Sequence, residues 1–221
     1  MHIIERITES DESISANQSK LQKISWEKLR SQPTPNKRSE MWRLTNKSKF
    51  SRFLNYQFSN KFYSPDIPGY LKMENIFRII VGGNKRIKYQ KEKWEIRELE
   101  EKEIANYLEQ KIIDSDITQN WSNLLNHFLT DNKNVLGLNI KGTEIPDLEI
   151  ICNSKENFFN SKTLIINIEK NTNVNISQIN IGDNNSALST SSYLNIGKDS
   201  EVRHGMISFG KNKSHIINTL N

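Results

Sequence analysis

Cysteine is nearly absent: Cys152 is the only one in 221 residues. A single thiol excludes an internal disulfide framework and any all-cysteine metal site within one chain. It also makes a reducing, cytoplasmic compartment the expectation. Long apolar runs are missing as well. Stretches such as Ile79-Ile80-Val81 soon meet charge or glycine, far short of the ~20 apolar residues of a membrane-spanning helix. Residues 1–5 carry no basic stretch leading into an apolar one, so a secretory signal is not expected. Alanine occurs three times, so any helix must form from residues of weaker propensity and rely on packing.

What is abundant is asparagine (28), isoleucine (29) and lysine (22). Hydrophobic residues make up 35% of the chain, below the norm but enough for a core. Charge is unevenly divided. Residues 1–100 carry 20 basic against 12 acidic side chains, and residues 101–221 carry 11 against 14. Within 28–61 stand Lys28, Arg30, Lys37, Arg38, Arg43, Lys47, Lys49, Arg52 and Lys61, with Trp42, Phe50, Phe53, Tyr56 and Phe58 between them. Basic and aromatic residues mixed in this way are one footprint of a nucleic-acid surface. The plainer reading is a solvated helical face, because Phe50, Phe53, Leu54 and Phe58 fall at helical spacing and burial accounts for them.

Along the chain, Ile14, Leu21, Ile24, Trp26 and Leu29 suggest an amphipathic helix that Pro33 and Pro35 would end. A second helix is expected over 48–58. The extended runs 76–81 and 85–90 around Gly82-Gly83-Asn84 read as a β-hairpin near 76–90. The glycine pair lacks the spacing of a phosphate-binding loop. Helices are expected near 100–113 and at 118–129. The latter carries Trp121, Leu124, Leu125, Phe128 and Leu129 on one face, with Thr118 placed to cap it. Helical periodicity ends near residue 131. The expected division is therefore a mostly helical α+β domain over 1–130 and an all-β region over 131–221.

The all-β region repeats. Residues 165–182 align without gaps on 193–210, with Asn167/Asn195, Ile168/Ile196, Lys170/Lys198, Val174/Val202, Ile179/Ile207 and Gly182/Gly210 identical. The step from Ile165 to Tyr193 is the repeat length. A turn signature recurs from Ile168, Ile181, Ile196 and Phe209, each apolar residue leading into Gly, Asn, Asp or Lys positions suited to positive φ. Strands of even length at fixed spacing allow a sandwich, a barrel or a β-helix, and repetition at one period favours stacked coils. Asparagines at like positions would then form ladders.

Reactive groups are sparse. Cys152 lies in an apolar strand with no basic or histidine neighbour in sequence, which marks a buried structural thiol. His204 shares strand parity with Val202 and Met206 and aligns with Ile176, so it should face the inside of its coil. His127 should sit at the edge of its helix, and His2 and His215 have no recognisable company. No carboxylate pair, no GxSxG and no HExxH is present. The reading therefore assigns no catalytic, cofactor-binding or metal-binding residue. A polysaccharide-active β-helix would need clustered carboxylates on an outer face, whereas residues 163–220 offer Glu169, Asp183, Asp199 and Glu201, mostly in turns.

Two stretches together resemble the SufB/SufD family, and its SufD branch more closely. The segment Arg38–Thr45 resembles the family's "R-x-E-x-W-[KR]-[YF]-T" motif, with Arg38, Glu40, Trp42, Arg43 and Thr45 at the matching positions. The strands from Thr163 through Tyr193–Val202 to Ile217 resemble the family's "L-x-I-x-[IV]-G-[EK]-[ND]-[AS]-x-[VL]" coils. The run Phe77–Lys88 and the helix Trp121–Leu129 stand where the family has a strand-turn and a helix before its core. The resemblance implies a right-handed parallel β-helix, here partial. It implies a cytoplasmic scaffold subunit of the SUF iron–sulfur cluster assembly complex, paired with SufB and acting with the ATPase SufC. The cluster would be handled transiently by the whole complex, not held by this chain. The family's C-terminal helical domain, which binds SufC, and its interface histidine have no counterpart up to Asn221, so no functional residue carries over.

Overall fold

A computed structural model describes residues 19–31, 52, 55–65, 67, 76–83, 87–114, 121–131 and 134–221. The elements in chain order are α1 (Lys20–Ser31), β1 (Gln57–Phe58), β2 (Phe77–Ile80), β3 (Lys88–Lys91), β4 (Trp94–Glu98), α2 (Glu101–Asp114) and α3 (Trp121–Phe128). Then come β5 (Val135–Gly142), β6 (Leu148–Asn153), β7 (Phe158–Ile168), β8 (Asn173–Gly182), β9 (Ala187–Ile196), β10 (Glu201–Gly210) and β11 (His215–Leu220).

From β5 onward, successive strands alternate between two sheets and pair in parallel with the strand two places on. One sheet runs β11-β9-β7-β5-β4-β3, with β1 joined to β7; the other runs β10-β8-β6-β2. Every parallel step within these coils advances the chain by the same one repeat: Val135 pairs with Thr163, Leu148 with Ile176, Ile165 with Tyr193, Val174 with Val202 and Ala187 with His215. The repeat is thus the coil of a parallel β-solenoid. The small α+β region precedes it.

Corners recur at half that interval. Positive φ falls at Asn157, Asn171, Asn185, Asp199 and Lys213, evenly spaced with two to each coil. Asparagine and aspartate tolerate this left-handed conformation best among non-glycine residues. The corner residue is the fourth of the signatures beginning at Ile168 and Ile196, and the fifth of those beginning at Ile181 and Phe209. That shift explains why the signatures are not evenly spaced although the corners are. Corners stack through backbone bonds, Asn171 N to Lys198 O at 3.0 Å and Asn185 N to Asn212 O at 2.8 Å. The asparagine ladders form as expected, Asn195 Nδ2 donating to Asn167 Oδ1 at 2.6 Å and Asn185 Nδ2 to Asn157 Oδ1 at 2.7 Å. Coils approach closely at Gly197, where a β-carbon would stand 2.5 Å from Lys170 N.

Inside the solenoid, Leu138, Ile140, Leu148, Ile150, Leu164, Ile166, Ile168, Ile176 and Leu188 form the main core. Strand alternation places these on inner faces. On the outer face of the larger sheet lie the three helices. α1 begins with a complete capping box, Ser19 Oγ accepting from Gln22 N at 3.3 Å while Gln22 Oε1 accepts from Ser19 N at 2.9 Å. α2 is fixed at its start by Glu103, which accepts from Glu100 N at 2.8 Å and takes two bonds from Arg97 at 2.9 Å each.

Three expectations need correction. The run 76–90 is not a hairpin. β2 pairs in parallel with β6, and β3 pairs antiparallel with β4, so the hairpin turns at Glu92-Lys93. The apolar run of β2 extends the solenoid sheet instead, where Ile79 and Val81 are buried. The helix expected over 48–58 lies largely outside the described residues, and at its end Gln57–Phe58 is a strand paired with β7. The boundary near 131 marks the end of the helices, but β2, β3 and β4 continue the two sheets on its N-terminal side. The segments 1–18 and 32–51, with Ile14, His2 and the Arg38–Thr45 motif, lie outside the described residues.

Candidate functional site

The helix α3 is amphipathic in sequence, and the structure shows which way it faces. Trp121, Leu124, Leu125 and Phe128 occupy one side and pack with Leu29 of α1, Phe58 and the sheet residues Phe159 and Ala187. Phe128 stacks on Trp26 of α1 at 5.0 Å. The opposite side carries Ser122, Asn123, Asn126 and His127, and this polar side lies on the solenoid. All eight residues of the helix are buried. The strands meet it with serine and threonine, whose small side chains let the helix sit close.

A connected hydrogen-bond network results. Ser161 Oγ donates to Asn126 Oδ1 at 2.8 Å, and Asn126 Nδ2 donates to Ser191 Oγ at 2.7 Å. Ser191 Oγ donates to Asn123 Oδ1 at 2.7 Å, and Asn123 Nδ2 donates to Asn221 Oδ1 at 3.0 Å. Ser122 and Thr219 share a hydroxyl bond of 2.8 Å. His127 Nε2 lies 2.7 Å from the Tyr193 hydroxyl, with the rings stacked at 5.6 Å. Its Nδ1 has no partner among the described residues. His127 is therefore not at the helix edge. Burial pushes its pKa down to about 3, so it stays neutral and cannot shuttle protons at ordinary pH. Burial likewise raises the Tyr193 phenol.

A second buried polar group lies inside the solenoid. Lys162 is 2% exposed and donates to Val81 O at 3.3 Å. Burial lowers its pKa. Cys152 is fully buried, and desolvation pushes its thiol up to about 12, an effect Lys162 partly opposes. The thiol is inert, as expected from its strand, but a basic side chain does approach it. Sequence proximity missed Lys162 because it stands on the next strand. The interior continues in polar fashion: Ser192 Oγ donates to Gln178 Oε1 at 2.9 Å, and Gln178 Nε2 to Asn180 Oδ1 at 3.2 Å.

The remaining sequence candidates stay apart. His204 pairs in register with Ile176, faces inward and is half-buried, and burial lowers its pKa. His215 stands beside the Tyr56 ring at 6.0 Å. Asp183 pairs with Lys211 at 3.3 Å, Glu201 with Arg203 at 3.0 Å, and Glu169 accepts from Asn139. Among the described residues, no three His, Cys, Asp or Glu side chains converge as a metal site would require. Of the basic-aromatic segment, Phe58 is buried core and Tyr56 donates to Asn185 Oδ1 and Lys213 O at 3.3 Å. Arg30 lies over the Trp26 ring at 5.8 Å. The residues of that segment from 32 to 51, and Phe53, lie outside the described residues.

The fold and site together define a two-sheet parallel β-solenoid seated under a helical layer by a polar seam. Among the described residues no helix is long and apolar enough to cross a membrane. Compared with known proteins, the chain matches no family model, no curated protein and no solved structure.

Proposed function

We propose that this chain is a non-catalytic scaffold subunit of a SUF-type iron–sulfur cluster assembly complex, working in the cytoplasm beside a SufB-type partner and its ATPase. The observation that supports this reading most is the coil itself. Strands of the family-like type recur once per repeat in parallel register, directly after a helix, as the family order requires. A solenoid suits this work because each coil contacts only its neighbours, giving a stiff body whose strand edges can accept further strands. In this reading the iron–sulfur cluster is cargo of the assembled complex.

The test is co-expression of the tagged chain with SufB-type and SufC-type subunits, followed by affinity capture. The reading expects the SufB-type subunit to be retained, and the ATPase only when that subunit is present. Retention of neither, from cells where the two bind each other, would contradict it. Capture of RNA in their place, lost steeply as salt rises, would favour the basic segment 28–61 as a nucleic-acid surface.

A further inference from the structure

We propose that the solenoid interior binds a single halide ion between Lys162 and Asn180. The coil itself brings these two side chains together. Inner residues equally far before and after a corner face each other across the interior. Ser192 and Gln178, mirrored about the corner at Asn185, bond at 2.9 Å; Asn218 and Ser208, mirrored about Lys213, bond at 2.8 Å. By the same symmetry Lys162 faces Asn180 about Asn171, and Asn180 faces Thr190 about Asn185. The register agrees, since Lys162 is the lateral neighbour of Thr190 and Asn180 that of Cys152. One level of the interior is therefore polar, and Lys162, Asn180, Thr190 and Cys152 are all buried in it.

Donors and acceptors at this level do not balance. The bond from Lys162 Nζ to Val81 O uses one of the three N–H groups of an ammonium. Asn180 Oδ1 accepts from Gln178 Nε2, while the fully buried Asn180 Nδ2 has no partner among the described residues. Thr190 gives its hydroxyl proton to Asn218 Oδ1 at 2.8 Å. What is missing is an acceptor and a negative charge. The carboxylate whose field reaches Lys162 is Asp131, which itself accepts from Asn60 Nδ2. A buried ammonium without a partner charge is costly, and an unmade amide bond adds to the cost. A halide answers both, accepting from several N–H groups while cancelling the charge; water would satisfy the N–H groups and leave the charge. Facing sheets stand ~10 Å apart and the lysine chain crosses that gap, so a monatomic ion suits the space better than a phosphate or a carboxylic acid.

The test is urea unfolding of the full chain in sodium chloride and in sodium gluconate of equal ionic strength, the gluconate anion being too large for the site. A ligand held only by the folded state raises the folded-to-unfolded ratio in proportion to its concentration once that exceeds the dissociation constant. Each tenfold rise in chloride should then raise the wild-type ratio about tenfold. Lys162→Met should lose this response, and any stability it gains in gluconate should shrink against wild type as chloride rises. Asn180→Asp, nearly unchanged in shape, supplies the carboxylate that the halide replaces and should be equally indifferent to chloride. Crystals grown in sodium bromide give a reading independent of stability, with an anomalous peak expected within hydrogen-bond reach of Lys162 Nζ and Asn180 Nδ2. A water without anomalous signal at that place, bromide on the surface as an adventitious ion only, or an equal chloride response in wild type and both variants would overturn the site.

Discussion

The buried His127 makes stability depend on pH in a way that can be calculated. In the folded chain its pKa is about 3, while in the unfolded chain it titrates near 6.5. Between those values the unfolded state binds a proton that the folded state does not, so stability falls as pH falls, by ~1.4 kcal/mol per unit. From pH 7.5 to pH 5 the loss integrates to about 2 kcal/mol. The carboxylates do not confuse this window. Glu103, held near 2 by Arg97 and by the Glu100 amide, contributes stability that is lost only as pH falls below about 4.5, the usual carboxylate range. The perturbation is His127→Gln, which keeps a hydrogen-bonding partner for Tyr193 but cannot titrate. Urea denaturation at pH 7.5 and pH 5 is the assay, with His204→Gln as the control for the half-buried histidine. The variant should lose about 2 kcal/mol less than wild type on acidification. An identical pH dependence in the two proteins would refute the assignment of His127 as buried and neutral.

Other outcomes follow from the packing. Lys162→Met should raise stability at pH 7 by about 1–3 kcal/mol, since an apolar chain of similar length replaces a buried ammonium whose bond is to a carbonyl, not a carboxylate; a lower urea midpoint would contradict this. Gly197→Ala should destabilise by about 2 kcal/mol or more, because the new methyl meets the backbone of Glu169-Lys170. Gly205→Ala, with open space around its added carbon, should be neutral or gain about 0.5 kcal/mol; thermal melts of the pair would expose any error in the coil spacing.

The coil period was readable because three constraints coincide on it. The step from Asn167 to Asn195 aligns the apolar inner positions, the asparagine ladders and the residues able to take positive φ, and shifting it by one would turn every inner side chain outward. The capping box at Ser19-Gln22 also carries a sequence signal, serine followed three residues later by glutamine. The supposed hairpin failed for a specific reason. Gly82-Gly83-Asn84 is good turn chemistry, but it says only that the chain bends, and Phe77–Ile80 found a better partner in Leu148–Ile151, far along the chain. The orientation of α3 was hidden because amphipathicity gives two faces, not their partners. The serines and threonine at 161, 189, 191 and 219 make the strand surface beneath it polar, so its polar side turns inward. Lys162 is hidden in the same way: an inward lysine looks like any lysine until the neighbouring coil closes over it.

The solenoid register carries the whole account, and nuclear Overhauser contacts across the sheets measure it most directly. The fold predicts backbone contacts one repeat apart, linking Asn167 with Asn195, Val174 with Val202 and Asn180 with Ser208, in the pattern of parallel strands. Contacts of antiparallel type between β8 and β9, or a register shifted from these pairs, would describe a sandwich and contradict the stacked coil.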